Sequence, residues 1–288
     1  MTLVLLVALS FAPGAFWLWF YLRLNKVRPS PKRLVALSFF LGMLSTVPAG
    51  ALNTIFLPDD LLSDSVSLTS VVAGMLFVVG PVEETSKFLA VRFGAYRSKY
   101  FLQPVDGLVY STAASLGFAS LENLLYVWMF GPAVMIVRAP LSTVAHLVFG
   151  SLWGYGLGVH QQSGRRKHWF VVAMIAAAAL LHATFNIATF SVFFIWISPL
   201  IVLLGGIWAY KRFQWGQRVS PFRFRRNYPL VACNTCGVPM RIVSAYCPSC
   251  GAPVTGDHPS LICGSCRHEN PPDALYCARC GDRFLTSI

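Results

Sequence analysis

The chain has 288 residues, is 56% hydrophobic and only 12% charged, and carries a formal net charge of +12. A soluble domain holds about a quarter charged residues, so half that share together with long apolar runs excludes an ordinary water-soluble fold and indicates a membrane protein. The positive charge lies in short segments between apolar runs and just after the last one. That placement fits loops facing anionic lipid better than a nucleic-acid surface.

A spanning helix needs about 20 mostly apolar residues. In chain order the candidate spans are 2–22, 34–56, 67–91, 105–129, 139–159, 169–189 and 191–210. The fold class expected is therefore an all-α polytopic membrane protein of about seven transmembrane helices, with a small C-terminal metal-binding domain. The first span opens MTLVLLVALS with no basic residue before it, so it reads as a retained helix and not a cleaved signal. The sixth and seventh spans run together, which makes their boundary the least defined.

The linkers set a direction. Residues 23–33 carry Arg23, Lys26, Arg28, Lys32 and Arg33, whereas 57–65 carry Asp59, Asp60 and Asp64 and no base. Arg92, Arg97 and Lys99 follow the third span, Arg138 alone follows the fourth, and Arg165, Arg166 and Lys167 follow the fifth. By the positive-inside rule the N-terminus lies outside the cell membrane and the tail lies in the cytosol. An odd number of spans requires the same arrangement. The domains expected are a transmembrane part over 1–210, a basic juxtamembrane linker over 211–230 and the cysteine-rich tail over 231–288.

All eight cysteines lie in that tail. Cys233, Cys236, Cys247 and Cys250 follow C-x2-C-x10-C-x2-C, and Cys263, Cys266, Cys277 and Cys280 repeat the pattern thirty positions later. Two residues between cysteines let a tight turn aim both thiolates at one ion, and four thiolates close a tetrahedral Zn2+ site. A unit of about twenty residues cannot bury a useful core, so metal supplies its folding energy. The two copies resemble a double zinc ribbon, with two structural zinc ions. Its four bases, Arg241, Arg267, Arg279 and Arg283, are offset by four acids, which argues against nucleic acid and leaves a cytosolic protein as the partner.

Ionisable residues inside spans are rare and costly, at about 2.5–3.5 kcal/mol each for Asp, Lys or Arg at a helix centre. Here they concentrate in four consecutive spans. The third has Glu83, Glu84 and Lys87 in GPVEETSKFLA, the fourth Glu122 beside Asn123, the fifth His146, and the sixth His182 and Asn186. Lys87 is three and four residues from the two glutamates, and His182 and Asn186 are four apart, so each set shares a helix face. Glu122, His146 and His182 lie at similar depth, with Glu83 and Glu84 deeper, so four helices can close around one polar cavity. Taken singly, each His reads as a helix–helix contact and Asp106 as a helix cap. His160 and His168, beside the basic loop, read as interfacial. Two carboxylates, imidazoles and an amide are what water-driven amide hydrolysis needs: a base for water and donors for the oxyanion. G-x-S-x-G and H-E-x-x-H are both absent.

GPVEETSK (E-E-x-x-K), FASLEN, the His146 span and HATFN (H-x-x-x-N), in this order over roughly 60–190, resemble the PrsW intramembrane proteases, relatives of the CAAX prenyl endopeptidases. The resemblance implies a multi-helix peptidase that cuts membrane-embedded protein substrates, such as an anti-sigma factor or another regulatory membrane protein. Glu83 and Glu84 would supply the base, His146 would position or activate water, and His182 and Asn186 would serve the oxyanion. Lys87 and Asn123 would support them, and Glu122 stands where CAAX-type relatives tend to have His. The family has been described both as metalloprotease and as glutamate protease. Three Glu and two His are compatible with a catalytic Zn2+, which no spacing requires. The sequence leaves open which of Glu83 and Glu84 is the base. The rival reading is a non-catalytic scaffold or proton-coupled transporter with a ribbon tail, but no repeat of the spans is visible.

Overall fold

The structure, a computed structural model, describes residues 3–57, 67–98, 100–163, 165–190, 194–220, 230–241, 249–252 and 261–270. The chain divides into two compact units, Met1–Gln217 and Arg218–Ile288. Asp59, Asp60, Asp64, Lys99, Cys247, Cys277 and Cys280 lie outside the described residues.

The first unit is helical. Its elements are α1 (Leu3–Leu24), α2 (Lys32–Leu44), α3 (Thr46–Phe56), α4 (Leu68–Gly74), α5 (Gly80–Phe93), α6 (Pro104–Phe130), α7 (Met135–Val137), α8 (Thr143–Gln162), α9 (His168–Phe190) and α10 (Ile197–Arg218). Five segments are long and apolar enough to cross a membrane: Leu3–Leu24, Lys32–Phe56, Leu68–Arg97, Pro132–Gln162 and His168–Thr189. This is a multi-pass membrane protein. Helices α6 and α10, of 27 and 22 residues, are as long but less apolar. For α6 the reason is visible in its packing. Its Ser and Thr side chains at 111, 112, 115 and 120 are buried against neighbouring helices and need not be apolar.

The last helix differs from the sequence expectation of 191–210. It starts at Ile197 and runs to Arg218, with 191–193 outside the described residues. Pro199 suits its first turn, where the missing N–H costs nothing. Lys211, Arg212 and Arg218 are good helix formers, and their charge complements the negative end of the helix dipole. The first eight residues of the expected linker therefore continue the helix.

Prolines shape three of the helices. Pro48 stands in the first turn of α3, where its missing N–H costs least, and at the junction with α2 Ser45 Oγ donates to the Gly42 carbonyl at 2.7 Å. Pro81 follows a wide π-turn over Met75–Val79, closed by Gly80 N–H to Met75 O. Pro140 sits inside a second π-turn over Arg138–Ser142, closed by Thr143 N–H to Arg138 O. A π-turn makes room where proline removes an ordinary i to i−4 bond, so the helix continues through Gly80-Pro81 without breaking.

The centre of the unit is α6, which is flanked by α1, α2 and α8. Helices with no hydrophobic force between them need close backbone approach. A Cβ on Gly154 of α8 would lie 2.7 Å from the Gly107 carbonyl oxygen and 2.6 Å from Ser111 Cβ on α6. Gly150, Gly154 and Gly158 thus let α8 lie along the Gly107–Ser111–Ser115 face. On the opposite side, a Cβ on Gly117 would collide with the Phe39 carbonyl of α2.

In the second unit, β1 (Leu230–Ala232) pairs antiparallel with β2 (Pro239–Arg241), and β3 (Leu261–Ile262) with β4 (Glu269–Asn270). Each hairpin carries one Cys-x-x-Cys turn. Cys233 N–H donates to Val238 O and Gly237 N–H to Cys233 O, and thirty residues later Cys263 and Arg267 repeat both bonds. The turn needs a positive φ, supplied by Gly237 at 71° and Arg267 at 53°.

Candidate active site

Helix α5 leaves its π-turn with Glu83, Glu84 and Lys87 all buried. The Lys87 ammonium lies at the centre of a closed network. It donates to Glu84 Oε1 at 2.8 Å and to His146 Nδ1 at 2.9 Å, lies 3.6 Å from Glu83 Oε2, and sits 4.1 Å over the Phe118 ring. An ammonium has no lone pair, so Nδ1 of His146 accepts, and its Nε2 carries the proton that it donates to Glu122 Oε2 at 2.8 Å. His182 Nδ1–H donates to Glu84 Oε1 at 2.9 Å, which turns its Nε2 toward Glu83 Oε2, 3.7 Å away.

The two adjacent glutamates have different surroundings. Glu84 is 0% exposed, and its second oxygen accepts from Trp153 Nε1 at 3.0 Å. Both its oxygens are taken, and it does not line the cavity. Glu83 does line it, and its Oε2 is buried without a hydrogen-bond partner. The cavity, of about 310 Å3, also meets Asn53, Glu122, Arg138, His146 and Asn186. Spans three to six therefore converge. Asn186 stands on the cavity wall apart from the ionic network, and among the described residues its amide donates to Met75 Sδ, at 4.0 Å. Asn123 lies behind the cavity, joined to Thr143 Oγ1 at 3.0 Å and the Ser10 carbonyl at 3.4 Å.

Sequence reasoning missed Arg138, Trp153 and Phe149. Trp153 and Phe149 read as ordinary core residues, and Phe149 stacks on His182 with centroids 4.9 Å apart. Arg138 read as a linker base, yet its guanidinium binds Glu122 Oε2 at 2.9 Å. The signal available was charge balance, since three buried carboxylates with one lysine leave an excess that another cation must meet.

The donor set fits a divalent ion by type and spacing at Glu83 and His182, while both nitrogens of His146 are already engaged, by Lys87 and by Glu122. One atom each from Glu83, His146 and His182 fall within 4.8 Å of one another. Each histidine gives one nitrogen to a carboxylate, His182 to Glu84 and His146 to Glu122, the arrangement that orients imidazole ligands. The orphan Glu83 Oε2 completes the group. In the ribbon unit, Cys233, Cys236 and Cys250 cluster in the same way, and Cys233 and Cys250 Sγ atoms are 3.8 Å apart. Tetrahedral thiolates about 2.3 Å from zinc lie about 3.8 Å from each other, so this cluster has zinc dimensions.

The family model described as PrsW family intramembrane metalloprotease matches residues 30–207, and that of the double zinc ribbon matches 233–281. Among curated relatives, Protease PrsW of Bacillus subtilis (strain 168) is 28% identical over 204 residues, covering 69% of this chain and 90% of its own length. Protease PrsW of Shouchella clausii (strain KSM-K16) is 29% identical over 216 residues, 73% of this chain and 97% of its own. That of Geobacillus kaustophilus (strain HTA426) is 28% identical over 182 residues, 63% and 78% respectively. No solved structure matches at a significant level.

Proposed function

Because the chain belongs to the PrsW family of intramembrane metalloproteases, we propose that it is an endopeptidase hydrolysing a bond of membrane-embedded protein substrates in the cavity beside Glu83. One observation carries the reading: a buried carboxylate oxygen without a hydrogen-bond partner faces the Nε2 of a carboxylate-oriented histidine at the cavity. A water entering the cavity there can donate its proton to Glu83 Oε2.

Glu83 is then the base. The water oxygen attacks the scissile carbonyl carbon while its proton passes to the Glu83 carboxylate. The protonated glutamate returns that proton to the amide nitrogen as the carbon–nitrogen bond breaks. The Asn186 amide, on the cavity wall, donates to the developing oxyanion. Glu84 holds His182 in its orientation, Lys87 neutralises Glu84, and Glu122 orients His146. A divalent ion held by Glu83 and His182, and by His146 if Lys87 released its Nδ1, would polarise the carbonyl and acidify the water.

With α6 and α10 added to the five apolar segments the spans number seven, which sets the two ends on opposite sides, and the basic linkers assign the N-terminus to the outside and the ribbons to the cytosol. In that orientation Asn53 and Arg138 place the cavity mouth in the outer half of the bilayer. The ribbons bind two structural zinc ions and offer a surface to a cytosolic protein.

The test uses the full chain in proteoliposomes with single-span membrane proteins. Glu83→Gln should abolish cleavage, retain the fold and trap an uncut substrate for identification. Cleavage at the wild-type rate by that variant overturns the assignment.

A further inference from the structure

We propose that Arg138 is a positioning residue for His146, acting through Glu122. The inference rests on the peptidase reading above, but its geometry stands independently.

Arg138 lies on the π-turn before α8, outside the run of motifs that marks the site. It is 8% exposed, which is costly for a guanidinium unless every side of it is engaged. Its Nε donates to Asn123 Oδ1 at 2.8 Å and its Nη2 to Glu122 Oε2 at 2.9 Å. Its carbon lies 3.8 Å over the Tyr126 ring. The planar fork thus grips two successive residues of α6 and rests on a third one turn further along. Lysine, with a single point of donation, cannot reproduce this grip.

The oxygen that Arg138 holds is the one His146 uses. Glu122 Oε2 accepts from Arg138 Nη2 and from His146 Nε2, so the carboxylate has one placement that serves both. Glu122 is otherwise a flexible side chain at the cavity, 18% exposed. With Arg138 removed, it is free to turn toward cavity water and release the Nε2–H. The imidazole then loses the acceptor that fixes its Nε2 side. Lys87 holds Nδ1 from the other side, so in the wild type the ring is fixed from both ends by two buried cations, one directly and one through a carboxylate.

Two measurements on the full chain test this. The first needs no substrate: the 15N-imidazole spectrum of histidine-labelled protein in detergent micelles, with His146 assigned by its loss in His146→Asn. The wild type should show the His146 Nε2–H proton shifted downfield by its 2.8 Å bond to Glu122, and Arg138→Gln should move it upfield while the tautomer, held by Lys87, stays the same. An unchanged Nε2–H shift in Arg138→Gln overturns the proposal.

The second uses a fluorescence-quenched peptide carrying the bond cut in the protein trapped by Glu83→Gln. Arg138→Gln should lower kcat about 10–100-fold with KM little changed, the usual loss when a partner that orients a site imidazole is removed. Arg138→Lys should recover part of that loss. In a Glu122→Gln background, Arg138→Gln should cost little more, because both changes cut the same chain. A loss in the double variant equal to the product of the two single losses overturns the proposal.

If Arg138→Gln fails to fold, Arg138→Met with Glu122→Gln leaves no unpaired buried charge and gives the same comparison against Glu122→Gln. Wild-type cleavage that stops in Glu83→Gln but continues at full rate in Arg138→Gln refutes this inference alone. Cleavage unaffected by Glu83→Gln refutes the peptidase reading and leaves the Nε2–H shift measurement standing.

Discussion

Replacing Lys87 with Met tests whether this ammonium holds the membrane unit together. Lys87 and Glu84 are both 0% exposed, their 2.8 Å contact lies within α5, and Lys87 ties the pair to α8 through His146 Nδ1 at 2.9 Å. Removing the lysine leaves Glu84 with only the Trp153 and His182 donors, removes the donor to His146 Nδ1, and empties the place over Phe118. Breaking a buried pair by deleting one partner costs about 3–5 kcal/mol, because the other charge stays buried without compensation. Removing both charges while keeping the volume, as in Lys87→Met with Glu84→Gln, costs much less. The double variant should therefore be more stable than Lys87→Met alone by about half of that penalty or more. Unfolding in mixed micelles with increasing dodecyl sulfate, followed by far-ultraviolet circular dichroism, measures both differences. The reasoning fails if Lys87→Met alone lies within about 0.5 kcal/mol of wild type, as a surface substitution would. It fails equally if the double variant is the less stable of the two.

Glu84→Gln should retain measurable cleavage where Glu83→Gln retains none, since Glu84 acts only through His182 and Lys87; comparing kcat for the two variants checks this. Gly117→Ala should destabilise the membrane unit by about 1–3 kcal/mol, through collision with the Phe39 carbonyl, and the same micelle titration reads it. A chelator strong enough to remove ribbon zinc should abolish the hairpin fold of the tail while leaving helical ellipticity of the membrane unit unchanged. Metal analysis of the full chain with Cys233→Ser and Cys263→Ser should show the loss of two zinc ions per chain, and any zinc remaining reports the Glu83–His146–His182 group.

Much of the site was legible because ionisable residues in apolar helices are conspicuous. Glu83, Glu84, Lys87, Glu122, His146 and His182 all stand out against their neighbours, and helix geometry alone suggested that four spans converge. The sequence could not separate the two glutamates. Their difference comes from Trp153, which donates to Glu84 from another helix and has no charge to announce it. Arg138 was hidden by position, because a base near a span boundary looks like any loop base until the π-turn draws it inward. The helix order was legible, but the close approach of α6 and α8 depends on Gly150, Gly154 and Gly158 meeting Gly107, Ser111 and Ser115. Small residues at four-residue spacing show such a face only once the partner helix is known. The last helix was misplaced because hydropathy fades before helical structure does. Its basic end is too polar to count as span, yet it continues as helix to Arg218.

The two π-turns have a consequence for how such a molecule can diverge. One ends at Val79, a turn ahead of Glu83, and the other at Ser142, a turn ahead of His146. Each holds an extra residue relative to an α-helix, so deleting one residue there restores the ordinary pitch and rotates everything beyond by about 100°. Glu83 and Glu84, beyond the first turn, keep their register, so a single-residue change there re-aims the segment ahead of α5 with the carboxylates in place. A change in the second turn also carries Arg138 off Glu122, so that turn is the less free of the two to vary.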